Sequence, residues 1–291
     1  MPSEGKRRVT IFLLLTLGLS LVFYFLLIYT GKVSAGAGLY VTGHMWCPAG
    51  AALIACKLCH KDYAELGWNW GQTRYQVMSY LLPLTYTSVS YVAVWLTGLG
   101  GIDHGWINGF ADTMSAGRLP RGVSLALGFV LLATVGMVGS CARALGEEIG
   151  WRGFLVPELA KGMSYTRVSL ISGLIWSAWH YPVLLFTNFN AGTPAWYGLT
   201  CFTVVLTGQA FAFAWLRLAS GSLWTGMIMH AAHNLFIQNL FNRLTADTGP
   251  TEYIIDEFGA ALAIAAIIVA FIFWKLRFRL PATANPAVSR A

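Results

Sequence analysis

Eight stretches of the chain, 9–30, 39–58, 75–97, 123–146, 166–187, 198–216, 223–241 and 259–276, are mostly apolar and close to 20 residues long. That is about the length an α-helix needs to cross the hydrocarbon core of a bilayer. In lipid a helix also satisfies its own backbone N–H and C=O groups, which an open strand or loop cannot do. Composition agrees, since 56% of the 291 residues are hydrophobic and only 11% are charged, against about 25% charged in an ordinary water-soluble domain. The expected fold class is all-α, a polytopic membrane helix bundle of about eight transmembrane helices. No repeat or composition break marks a second domain. Residues 1–280 are expected to form a single transmembrane helical domain, with 281–291 a short polar C-terminal tail.

The 19 Lys and Arg residues are unevenly spread. With the N-terminus inside, all but Lys32, Arg118, Arg121 and Arg243 fall on inner segments, whereas the acidic residues divide evenly. The positive-inside rule then places both termini in the cytoplasm and predicts a multi-pass protein of a cell membrane, bacterial inner membrane by its character. The net charge of +7 follows from this asymmetry. It suits the headgroups of a lipid bilayer and requires no nucleic acid. The apolar run 9–30 exceeds the roughly 7–15 residues of a signal-peptide core, so it is expected to be a retained helix.

Several short patterns carry no chemistry. Cys56-Lys57-Leu58-Cys59-His60 matches a c-type haem attachment, yet the charge asymmetry puts it in the cytoplasm, and it reads better as two apolar cysteines at a helix end. There is no HExxH zinc motif, Walker A loop or GxGxxG. No cofactor is expected.

Ionisable residues within the spans cost about 2.5–3.5 kcal/mol each on insertion scales, which makes them functional candidates. Here they gather at three places: Glu147-Glu148 with Arg152, Trp176 through His180, and His230 through Asn234. Counted from the basic or polar markers Lys161, Arg167 and Ser222, the helical rise puts Glu147 at about 21 Å, His180 at about 20 Å and His230 at about 12 Å. The three could therefore share a pocket near mid-membrane. The same count requires the fourth helix to run well past Glu147 and to tilt, break near Gly136 or Gly139, or project. Glu148 and Arg152 fall on one face in the favoured order for an ion pair, leaving Glu147 free to face the bundle centre. Arg143, one turn earlier, could compensate Glu147. His233 is not excluded by phase and has no assigned role.

This set of groups suits water activation. A partly buried carboxylate can act as general base, a neighbouring His can share the water or protonate a leaving group, and a second His with an Asn offers two N–H donors to an oxyanion. No Ser or Cys is placed to compete as nucleophile. Two other readings use the same residues: a zinc site held by Glu147, His180 and His230, or a non-catalytic scaffold or transporter. The gathering of the polar groups in one place favours a site over a path. The basic inner rim points to the cytoplasmic side as its entrance.

At these residues the chain resembles the CAAX protease and bacteriocin-processing (CPBP, or Abi) family of glutamic intramembrane endopeptidases. The family motifs EExxxR, FxxxH and HxxxN/D read here as Glu147-Glu148-xxx-Arg152, Trp176-xxx-His180 and His230-xxx-Asn234, in order and on separate predicted helices. The resemblance implies an eight-helix bundle that cleaves a membrane protein or peptide. It implies Glu147 as the base, His180 holding the water, His230 and Asn234 at the oxyanion, and Glu148 and Arg152 in support. Trp176 stands where Phe is usual, a change that bears on pocket shape. Among the family's substrates, peptide maturation, self-immunity or surface-protein processing fits the bacterial flavour of the sequence better than a prenylated CAAX protein.

Overall fold

The computed structural model describes residues 3–115, 117–190 and 192–281; the expected polar tail from 282 onward lies outside them. Nine helices organise the described residues: α1 (Ser3–Thr30), α2 (Leu39–Leu58), α3 (Thr73–Leu96), α4 (His104–Ser115), α5 (Arg121–Ala160), α6 (Tyr165–Phe186), α7 (Ala195–Ser220), α8 (224–244) and α9 (Ala260–Leu276). The expected all-α membrane bundle is the observed one. The only strands among the described residues are two-residue pieces, Gly101–Ile102 and Thr245–Ala246, paired antiparallel where α3 and α8 end.

Among the described residues, seven helices are long and apolar enough to cross a membrane. The eighth expected span, α8, is a continuous helix too, made of an α-helical part Trp224–Asn234 and a π-helical part Leu235–Phe241 before its last turn. It falls short on apolarity because it carries His230, His233, Asn234, Gln238 and Asn239. A helix this polar is tolerated where it is enclosed by protein, and α8 packs between α3, α5 and α7. The surface helix α4 was not among the expected spans; Asp103 Oδ1 accepts from Trp106 N at its start, and it packs on the first turns of α5.

At the centre stands α7, whose most apolar window is 72% buried, against 17–50% for the other six. Helices α6 and α9 pack along it, and α1 packs along α2. Helix α1 is tied into the bundle by Trp179 Nε1 donating to Ser20 Oγ (2.8 Å) and by Phe12 stacking on Phe154.

The 40-residue α5 is the element that positions the site. It is not broken at Gly139; a π-helical turn over Leu132–Gly136 widens it, and Tyr80 of α3 donates to the Ala133 carbonyl there. A second π-helical stretch, Ile149–Leu155, follows Glu148 directly. Between the two, Gly146 and Gly150 let α5 lie against the backbone of α2: a Cβ on Gly150 would come 2.4 Å from Pro48 Cβ, and one on Gly146 would come 2.7 Å from the Met45 carbonyl oxygen. Small residues at such crossings are how membrane helices gain packing contact.

The connections at the two ends of the bundle differ. At the end where α1 begins, the segment 59–72 folds beneath α7 and α8. Leu223 N donates to the Gly67 carbonyl (2.8 Å), Trp224 Nε1 to the Trp68 carbonyl (2.6 Å), and Arg217 Nε to the Arg152 carbonyl (2.8 Å). Leu223 and Ser222 are wholly enclosed, so α8 begins inside the protein. This explains why His230, counted from Ser222, had the shallowest expected depth of the three.

Candidate active site

One cavity of about 360 Å³ takes in all the expected catalytic residues: Glu147 on α5, His180 on α6, and His230 and Asn234 on α8. Trp176 is also in its wall, while Glu148 and Arg152 lie behind it.

Glu147 is 1% exposed. Its Oε2 accepts from two indoles, Trp176 Nε1 at 2.6 Å and Trp151 Nε1 at 3.2 Å. The carboxylate is thus held through one oxygen by neutral donors, while the residue lines the cavity. Arg143 is not its counter-ion. That side chain is exposed on the cavity wall and forms no ion pair with Glu147.

Glu148 and Arg152 form the expected pair, Arg152 Nη1 to Glu148 Oε1 at 2.8 Å, with both side chains buried. The same Oε1 lies 2.9 Å from His230 Nδ1, and Glu148 Oε2 has no partner. The Arg152 guanidinium sits over the rings of Phe213 and Trp176, 3.7 and 4.1 Å from their centroids. Stacking of this kind suits the planar guanidinium in particular.

The two imidazoles are oriented differently. His180 Nδ1 lies 2.9 Å from the Trp176 carbonyl oxygen. A carbonyl only accepts, so Nδ1 carries the hydrogen and Nε2 is left as an acceptor. In His230, Nδ1–H faces the Glu148 carboxylate. Formal charges at the site balance when His230 carries both protons: Glu147 and Glu148 against Arg152 and His230. Asn234 follows His230 by one turn on the same wall and is half-buried.

Several groups at the cavity were not legible in the sequence. His233 is built into a second buried network: Gln209 Nε2 lies 3.0 Å and the Tyr86 hydroxyl 2.5 Å from its Nδ1, while its Nε2 meets Glu257 Oε1 at 2.9 Å. Glu257 comes from the segment between α8 and α9 and is also reached by Gln238. His44 of α2 stacks flat on Trp179, with centroids 4.0 Å apart, and its Nε2 is enclosed with no partner. An HxxH spacing at 230–233 was a weak signal for His233; nothing near Glu257 or His44 in the chain pointed to either. Among the described residues, no three His, Cys, Asp or Glu side chains gather as metal ligands. Cys56 is wholly enclosed in the core, which fits its reading as a packing residue.

The cavity opens at the end of the bundle opposite to the start of α1. Its outer wall comes from Val33, Ser34 and Gly38 before α2, from Phe189 after α6, and from Asn239 and Glu257 at the end of and beyond α8. These segments meet one another: Asn188 N donates to the Gly31 carbonyl, and Tyr197 Oη to the Tyr253 carbonyl. The entrance is therefore not on the basic rim, as the sequence suggested, because the 59–72 segment closes that end.

Residues 125–236, which contain all three motifs, match the family described as "Type II CAAX prenyl endopeptidase Rce1-like". These residues are similar to that family, and the likeness covers less than half of the chain. A curated relative from Methanococcus maripaludis, named CAAX prenyl protease 2, is 29% identical over 169 residues. That match covers 56% of this chain and 57% of the relative's length. The residues matched to the Rce1-like family carry Glu147, His180, His230 and Asn234, while α2 and the segment beyond α8 complete the cavity wall from outside the match.

Proposed function

We propose that the chain is an intramembrane endopeptidase in which Glu147 activates water to hydrolyse a peptide bond. The observation that carries this reading is the convergence of Glu147, His180, His230 and Asn234, from three helices, on one cavity. Its support from relatives is the match to Rce1-like endopeptidases and the naming of the archaeal relative as a CAAX prenyl protease.

In this mechanism Glu147, anchored by the two indoles through Oε2, takes a proton from a water that also donates to His180 Nε2. The hydroxide attacks the scissile carbonyl carbon. The oxyanion that forms is met by His230 Nε2–H and the Asn234 side-chain amide, two donors of the kind that stabilise tetrahedral intermediates. Glu148 supports the charge on His230, and Arg152 keeps Glu148 ionised and in place. Glu147 then passes its proton to the departing amine, so the carboxylate is regenerated.

Purified protein in proteoliposomes, given a membrane-peptide library, tests the reading. Glu147→Gln and His180→Ala are expected to abolish cleavage while unfolding temperature and elution volume stay those of the parent. Full activity in Glu147→Gln would sink the mechanism. Loss of activity with a chelator and its return with zinc would favour a metal held by Glu147, His180 and His230 instead.

A further inference from the structure

We infer that the scissile segment enters from the non-cytoplasmic side of the membrane, and that the substrate is an exported or membrane-anchored polypeptide cut on that side. This rests on the endopeptidase reading above and adds the compartment and class of its substrate.

The inference joins two observations that are independent of each other. The first is where the cavity opens. Most of the wall comes from the half of each helix that ends away from the start of α1: the first turns of α2, the second half of α6, the first half of α7, and α8 from His230 onward; α5 contributes Arg143 and Glu147 from just past its midpoint. Beneath Glu148 and Arg152 the route to the other end is filled by Phe154, Leu155, Leu66, Leu216 and Leu223, each of them 0% exposed, and by the backbone hydrogen bonds of the 59–72 segment. The site is closed toward the start of α1, and Val33, Ser34, Phe189 and Asn239 line it at the other end.

The second observation is charge. The end where α1 begins carries Lys6, Arg7 and Arg8, the basic residues around the 59–72 and 161–164 connections, and Lys275, Arg277 and Arg279 at the end of α9. The mouth end carries Lys32, Arg118, Arg121 and Arg243, with Arg143 on the cavity wall. Lys and Arg in short connections stay on the cytoplasmic side, and acidic residues count for little. The closed end is therefore the cytoplasmic one. A prenylated C-terminus, which is made in the cytoplasm, would meet the sealed face.

The wall chemistry suits an extended peptide. Asn234, Gln238 and Asn239 line one side and can pair with main-chain amides, while Val183, Phe202 and Leu206 form an apolar side for an aliphatic or aromatic side chain.

Labelling with a membrane-impermeant maleimide tests the side directly. Ser34→Cys places a thiol at the mouth, and native Cys59, half-buried at the closed end, serves as the opposite marker; mass spectrometry tells the two apart. In intact cells position 34 is expected to react and Cys59 to be spared, with the pattern reversed in inside-out vesicles. Labelling of position 34 only in inside-out vesicles overturns the inference, and Asn239→Cys gives the same reading should Ser34→Cys fold poorly. Cleavage sites lost in membranes of Glu147→Gln cells are expected in exported segments; losses confined to cytoplasmic segments or prenylated C-termini would overturn the inference while leaving the protease intact. If no cleavage is lost, the endopeptidase reading fails, whereas the labelling result stands by itself.

Discussion

Trp176 shows how one residue can carry two tasks. Its indole N–H anchors Glu147 Oε2 at 2.6 Å, and its ring carries the Arg152 guanidinium. The family pattern has Phe at this place, which can do the second task only. Trp176→Phe is expected to lower kcat by roughly tenfold, about 1.4 kcal/mol, at unchanged fold, because Trp151 still holds the carboxylate. Steady-state kinetics on an identified peptide check this. Arg152→Met is a harsher change. It leaves Glu148 buried with only His230 as partner, and losing one half of a buried pair costs about 3–5 kcal/mol. Thermal unfolding in detergent is expected to show a large drop. Arg152→Lys is expected to recover little of it, since an ammonium cannot stack between Trp176 and Phe213. At this scale the motif residues could be read in the sequence, because each is costly in lipid unless it serves or pairs. His44 and Glu257 could not, since their place depends on neighbours distant in the chain: Trp179 for one, and His233, 24 positions away, for the other.

At the scale of elements, the apolar runs located most spans to within a few residues, and α2 to its ends, but the run 123–146 stops well short of Ala160, where α5 ends, and 9–30 starts later than α1. What they could not show was how α5 is bent to fit. Its widened turns at Leu132–Gly136 and Ile149–Leu155, with the one in α8 at Leu235–Phe241, set the faces on which Glu147, His230 and Asn234 emerge. Widened turns of this kind recur at functional sites, but no period in the sequence announces them. The crossing of α5 on α2 is testable. Gly150→Ala would put a methyl 2.4 Å from Pro48 Cβ and 2.8 Å from its carbonyl oxygen. The helices must separate, and overpacking of this sort costs about 1–3 kcal/mol. A lowered unfolding temperature with loss of cleavage is expected, while Gly139→Ala, which meets nothing within 4 Å, is expected to leave both unchanged.

For the molecule as a whole, the connection from α8 to α9 lies across the mouth and brings Glu257 to His233. Beside it, burial and then the charge of Glu257 push the Asp256 carboxyl up to about 7. A free aspartate titrates near 3.9, so the folded connection holds its proton more tightly than the released one. The stability this gives is fully present below pH ~4 and is lost as pH rises towards about 7. Hydrogen-exchange protection over Tyr253–Gly259, after correction for the intrinsic exchange rate at each pH, is expected to be greater at pH 5 than at pH 8, and Asp256→Asn is expected to flatten the difference. Equal protection at both pH values in the parent protein would refute it.

The sequence by itself determined that this chain is a membrane helix bundle, because only helices of this length and apolarity satisfy the backbone in lipid. It also singled out which residues are candidates for chemistry, because uncompensated polar groups are too costly there to be incidental. Tertiary structure alone decided which oxygen of Glu147 is anchored, how each imidazole is turned, and which end of the cavity is open. Those properties arise from contacts between helices far apart in the chain, and from a connecting segment folded beneath α8 that leaves no periodic trace in the sequence.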